Sequence, residues 1–134
     1  MGPAERIRAY FDSCTRGSVA DIAGHFTDGA VIYDTNHRPV RSAAGIGMFW
    51  SKVRERWQGA TWTVDTVVSE GDAAAIEWTM SGLDGDRPFA VRGSEHYRLV
   101  DGFIDEIRQY WTFDPDHPGS ELVEFPYPDD PPSR

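Results

Sequence analysis

Arg92–Pro115, RGSEHYRLVDGFIDEIRQYWTFDP, consists of two period-two runs joined at Val100-Asp101-Gly102. Asp-Gly between alternating runs is a hairpin signal, so the segment predicts two adjacent antiparallel strands. In the first, Val91, Gly93, Glu95, Tyr97 and Leu99 share one face, opposite Arg92, Ser94, His96 and Arg98. Glu95 is the one charge on the apolar face. In the second, Ile107, Gln109, Trp111 and Phe113 fall together, opposite Glu106, Arg108, Tyr110 and Thr112. Two apolar strand faces, each carrying one polar member, are the expected wall of a pocket.

Working outward, two more runs of strand character precede this hairpin. Ala60–Ser69, Ala73–Ser81 and Phe89–Val100 lead into Phe103–Phe113, separated by Glu-Gly-Asp, Leu-Asp-Gly-Asp and Val-Asp-Gly turns, an antiparallel meander. Ala74, Ile76, Trp78 and Met80 line one face of the second run. Before the meander, Ile7, Tyr10, Phe11 and Cys14 recur with helical spacing over Ala4–Thr15. Ser18, with Asp21 three residues on, caps a second helix with the face Val19, Ile22, Ala23 and Phe26. Thr27-Asp28-Gly29 reads as a turn, Ala30–Thr35 as a short strand, and Asn36-His37-Arg38-Pro39 as an irregular loop. A third helix starts at Ser42, carries Ile46, Phe49, Trp50, Val53 and Trp57, and ends at Gly59. Helices first and strands afterwards predict an α+β fold, with three N-terminal helices laid across a curved antiparallel sheet to leave a conical cavity. Residues 1–114 are expected to form one domain, and the proline-rich residues 115–134 a tail running extended over the surface.

The chain has 134 residues, a net charge of −9 and a pI near 4.7. That charge argues against a nucleic-acid partner and against anionic membranes. Cys14 is the one cysteine, so no internal disulfide and no cysteine-based metal site is expected, and a reducing cytoplasm is the default. No secretion signal or bilayer-length apolar run is evident.

A carboxyl on an apolar strand face, as for Glu95, is paired, hydrogen-bonded or held neutral with a raised pKa. Asp34 ends a strand before the loop containing His37, either as a turn former or facing a cavity mouth. Tyr10 lies on an apolar helix face, where its hydroxyl needs a partner if buried. His25, His37, His96 and His117 lack metal-ligand spacing, so no metal is expected. Gly45-Ile46-Gly47 is local helix-start geometry and not a dinucleotide fingerprint. With no nucleophile elbow and Cys14 on a core face, covalent catalysis is not expected.

With these residues in place, Ile7–Phe113 resembles the nuclear transport factor two-like superfamily of ketosteroid isomerases and SnoaL-like polyketide cyclases. That fold is a cystatin-like α+β roll. The segment AYFDSCTRGSVADIAGHFTDGAVIYD is similar to the bacterial ketosteroid isomerases without a gap, and DTNHRPVRSAAGI to their continuation. The resemblance places Tyr10 at an oxyanion-hole tyrosine and Asp34 at the general base. SEHYRL puts Glu95 where the family has an oxyanion-hole aspartate, and RQYW puts Trp111 at a site-lining tryptophan. It implies a cofactor-independent isomerase or cyclase acting on a hydrophobic carbonyl compound through an enolate, and a homodimer. Substrate contacts are expected from Tyr33, His37, Trp78, Met80, Gln109 and Trp111. The alternatives are a small-molecule binder of the same fold that does not turn its ligand over, and a purely structural dimerisation domain.

Overall fold

A computed structural model describes residues 1–112 and 120–127. Its elements are α1 (Pro3–Arg16), α2 (Val19–Ala23), β1 (Phe26–Asp34), β2 (Val40–Arg41), α3 (Ala43–Arg56), β3 (Gln58–Glu70), β4 (Ala73–Asp84), β5 (Arg87–Val100) and β6 (Phe103–Tyr110). The six strands form one sheet in the order β2-β1-β6-β5-β4-β3. The expected α+β architecture is therefore present, with α1 and α2 first, β1 and β2 before α3, and the remaining four strands after it.

The local signals act as physical chemistry dictates. Pro3 opens α1, where its missing N–H costs nothing, and Ile7, Tyr10, Phe11 and Cys14 form the buried face. In α2 the Ser18 hydroxyl accepts from Asp21 N at 3.1 Å, while the Asp21 carboxylate accepts from Ser18 N at 2.8 Å, a reciprocal cap. The Ser42 hydroxyl accepts from Gly45 N at 3.0 Å and starts α3. From the last turn of α3, Arg54 donates to the carbonyls of Cys14 at 3.0 Å and Gly17 at 2.7 Å, satisfying the exposed end of α1. Gly47 is required by packing, since a Cβ there would lie 2.6 Å from the Val19 carbonyl oxygen of α2.

The β3–β4, β4–β5 and β5–β6 hairpins turn through two residues each, Gly71-Asp72, Gly85-Asp86 and Asp101-Gly102. Asp101 and Gly102 both have positive φ, 51° and 82°, the turn whose twist matches the flanking strands. The meander is as expected, but its strands extend further, β4 to Asp84 and β5 from Arg87. β6 ends at Tyr110, and Phe113 lies outside the described residues.

Two expectations require correction. Thr27-Asp28-Gly29 is not a turn; it lies inside β1, whose pairing with β6 shifts register between Phe26 and Val31. An irregularity in a strand uses the same small polar residues as a turn. The sheet is also not wholly antiparallel, because β1 pairs parallel with β6. No helix among the described residues is long and apolar enough to cross a membrane.

Candidate functional site

The sheet register assembles the site. Asp34 on β1 is aligned with Gln109 on β6, which is aligned with Glu95 on β5. Three polar side chains thus stand abreast on the inner face, with Gln109 in the middle. At the usual strand separation, Asp34 and Glu95 are about 10 Å apart in backbone position.

Asp34 is held tightly. Its side chain is 1% exposed, and Oδ2 accepts from Gln109 Nε2 at 2.6 Å and from Trp111 Nε1 at 3.1 Å. His37 Nε2 lies 3.5 Å from the same oxygen, while Oδ1 accepts from Asn36 N at 2.7 Å. The His37 Nδ1 position is fixed by the Arg38 carbonyl at 2.8 Å, and its ring packs against Phe49 with centroids 5.1 Å apart. The loop after β1 therefore wraps the carboxylate with donors.

Glu95 is 3% exposed, and its Oε1 accepts a short hydrogen bond from the Tyr97 hydroxyl. Burial is the main reason that its pKa is pushed up to about 8; the Asp34 charge adds to the rise and the Tyr97 bond opposes it. The Tyr97 and Tyr10 phenols are both raised well above 10, chiefly by burial, so they remain donors. Tyr10 points inward from α1, edge-on to Phe26 at 4.9 Å and to Phe11 at 5.5 Å.

Tyr10, Phe11, Cys14, Trp50, Trp62, Trp78, Glu95 and Gln109 enclose a chamber of about 10 Å³. That is room for one water-sized group. The inner space is otherwise filled, above all by Trp50, Trp62 and Trp78, which belong to the buried core. A much larger hollow, about 750 Å³, lies on the other side of the sheet beneath residues 120–127. Trp78 borders both spaces and Trp111 borders the outer one. Next to Trp78, Gly93 has no room for a side chain, since a Cβ would come within 2.6 Å of Trp78 Cζ2 and 2.8 Å of the Tyr110 carbonyl oxygen.

The sequence-derived residues divide accordingly. Tyr10, Glu95, Gln109 and Trp78 meet at the chamber, and Asp34, His37 and Trp111 cluster on the far side of Gln109. Tyr33 is corrected: the alternation that turns Asp34 inward turns Tyr33 outward, beside Arg108, where it is 41% exposed. Met80 is corrected too, because it sits further along β4 beside Trp62 and Val91 and packs on the core without reaching the chamber. Trp50, Trp62, Cys14 and Tyr97 were not singled out as site residues. Tyr97 shares the face of Glu95 two residues away, a signal that was available.

Arg92, set by alternation on the face opposite Glu95, is only 6% exposed. Its guanidinium stacks on Tyr127, 4.0 Å from the ring centroid, donates to Thr79 Oγ1 at 2.8 Å, and pairs with Asp65 and Glu121 at 3.9 Å each. The described part of the tail covers it.

The sequence profile of the SnoaL-like domain matches residues 7–107. The chain belongs to the SnoaL-like domain family. Comparison with the curated proteins yields no match. Among solved structures, this SnoaL-like chain is similar to a protein of unknown function with a cystatin-like fold from Methylobium petroleophilum PM1. The two are 27% identical, over 92% of this chain and 80% of that one, with a TM-score of 0.73. A hypothetical protein with a ketosteroid isomerase-like fold from Catenulispora acidiphila DSM 44928, in complex with trimethylamine, has a TM-score of 0.74. It is 18% identical over 84% of this chain and 88% of that one. TerC, co-crystallised with polyporic acid, has a TM-score of 0.69 at 14% identity over 81% of this chain and 90% of that one. These last two likenesses concern the fold.

Proposed function

We propose that this SnoaL-like protein is a cofactor-independent acid–base enzyme acting on a hydrophobic carbonyl compound, by isomerisation or cyclisation through an enolate. The observation that carries the reading is the row Asp34, Gln109, Glu95. It places a carboxylate held by three hydrogen-bond donors and a carboxyl kept neutral by burial on the same face, separated by one amide. A hydrogen-bonded carboxylate beside a carboxyl that burial keeps neutral can divide base and donor roles. Asp34 takes a proton from the carbon next to the carbonyl, while Tyr10 and the Glu95 hydroxyl donate to the developing oxygen charge. His37, Trp111 and Gln109 keep Asp34 oriented.

The chamber in its described form admits one oxygen-sized group, so the substrate body enters as the tryptophans part. This tightness is the specific observation in favour of a second reading, a structural domain with the tryptophans packed solid in its core. Titration with 4-nitrophenol, an enolate mimic whose ionisation is followed by absorbance, separates the two. Binding as the phenolate, weakened tenfold or more in Tyr10→Phe, supports the catalytic reading. No binding supports the structural reading, and binding indifferent to Tyr10 gives the site to a binder without turnover.

A further inference from the structure

The hollow beneath residues 120–127 plays no part in the proposed reaction, yet it is much the larger of the two spaces. At about 750 Å³ it has the size of a small-molecule site, where the inner chamber holds one water-sized group. Its floor is the outer face of the sheet. Thr66 on β3, Glu77 on β4, Ser94 on β5 and Tyr110 on β6 stand abreast there through successive strand pairings. Its roof is held together by the chain itself. Tyr127 stacks on Arg92, its hydroxyl accepts from Leu122 N at 2.9 Å, and its ring meets Phe125 with centroids 4.6 Å apart.

Two observations say what such a space suits. The first is bare apolar surface: Tyr110 in the floor is 50% exposed and Phe125 in the roof 47%, so the roof spans the floor without packing down on it. An apolar body between the two rings would take both out of water. The second is the balance of charge. Arg92 faces Asp65 and Glu121 at 3.9 Å each and donates to Thr79, so this cation is engaged. Glu77 accepts from Thr66 Oγ1 at 2.9 Å and has no cationic partner among the described residues. An anion entering the hollow would meet the carboxylates of Glu77 and Asp65, whereas an ammonium group gains the Glu77 charge and the faces of the rings. The net charge of −9 on the chain favours the same sign of ligand. We propose that the hollow is a second ligand site, separate from the carboxylate row, that takes a hydrophobic ammonium compound, its apolar body between Tyr110 and Phe125 and its charge on Glu77.

The test sets tryptamine against tryptophol and indole-3-acetate, which keep the indole and replace the ammonium by a hydroxyl and by a carboxylate. Calorimetry on the whole chain gives the affinities, and amide shifts of 15N-labelled protein show where each probe sits. Tryptamine is expected to bind at least threefold more tightly than either analogue and to move the signals of Thr66, Glu77, Ser94 and Tyr110. Glu77 is exposed, so its variants keep the fold. Glu77→Gln is expected to weaken tryptamine about threefold, the range for an exposed ion pair, and Glu77→Lys to weaken it further. An analogue that binds as tightly as tryptamine, or tryptamine binding indifferent to Glu77, overturns the ammonium assignment. No binding of any probe overturns the site. Tyr10→Phe separates this site from the one in the proposed function: unchanged tryptamine affinity beside weakened 4-nitrophenol affinity supports two sites. Tryptamine affinity that falls together with that of 4-nitrophenol would put the amine in the inner chamber and overturn the proposal while leaving the proposed function intact.

Discussion

Gln109 donates from Nε2 to Asp34 Oδ2 at 2.6 Å, and in the β1–β6 pairing the two residues lie side by side. The Asp34 side chain is almost wholly buried, so this bond is one of the few that compensate its charge. Gln109→Leu is expected to destabilise the fold by roughly 2–3 kcal/mol, the range for losing a hydrogen bond to a buried charged group. Urea unfolding at pH 7 reads this directly. A loss below about 0.5 kcal/mol would mean that Trp111 and Asn36 suffice.

Glu95 makes the fold sensitive to alkali. Its pKa is raised from 4.5 to about 8, so between those values the folded protein keeps a proton that the unfolded chain has lost. Stability then falls as pH rises through this window, by at most about 1.4 kcal/mol per unit, and the protonated form gives full stability below it. Glu95→Gln mimics the neutral acid and is expected to flatten the slope of urea midpoint against pH from 5 to 8. An equally steep slope in the variant would assign the effect to another group.

The Tyr97 hydroxyl lowers the pKa of Glu95 against the larger effect of burial. Tyr97→Phe is therefore expected to push the Glu95 pKa above about 8 and to extend the fall in stability to higher pH before it levels off. Carbon-13 chemical shifts of the glutamate carboxyl against pH measure the change. A downward move would contradict the donor role given to Tyr97.

Asp34→Asn keeps the shape of the side chain and removes the base. On a ketone that the protein binds, deuterium exchange at the neighbouring carbon is expected to fall 10²–10⁴-fold, with affinity changed far less. Exchange at the wild-type rate would remove Asp34 from the chemistry.

Gly93→Ala brings a methyl group against the Trp78 ring and the Tyr110 carbonyl. Overpacking of this kind costs about 1–3 kcal/mol, and here it also displaces a ring that borders both hollows. Thermal unfolding and tryptophan emission report the two effects together; an unchanged melting point would show that the ring shifts freely.

The strand faces that carry the site were legible because alternation is a local property. Glu95 and Gln109 stood out as single polar members of apolar faces, and Asp101-Gly102 named its own turn. Long-range relationships left weaker traces. That β1 inserts beside β6, and so brings Asp34 to Gln109, depends on a pairing across most of the chain. The direction in which Trp50 enters from α3 depends on how the helix is rolled against the sheet. Arg92 lies on the face opposite Glu95 as alternation sets it, but alternation reports which face a side chain uses and not what later covers that face. Tyr33, expected as a substrate contact, points away from the face of Asp34 because adjacent strand residues point apart.

The parallel pairing of β1 with β6 also bears on how the protein is made. The hairpins from β3 to β6 join neighbours and close short loops, whereas the Asp34–Gln109 contact spans 75 positions. Emerging from the ribosome, β1 must wait for nearly the whole chain before its partner strand exists. The topology thus ties assembly of the carboxylate row to completion of the sheet: a chain stopped short of Phe103 would contain Asp34 and Glu95 but lack the strand that lies between them.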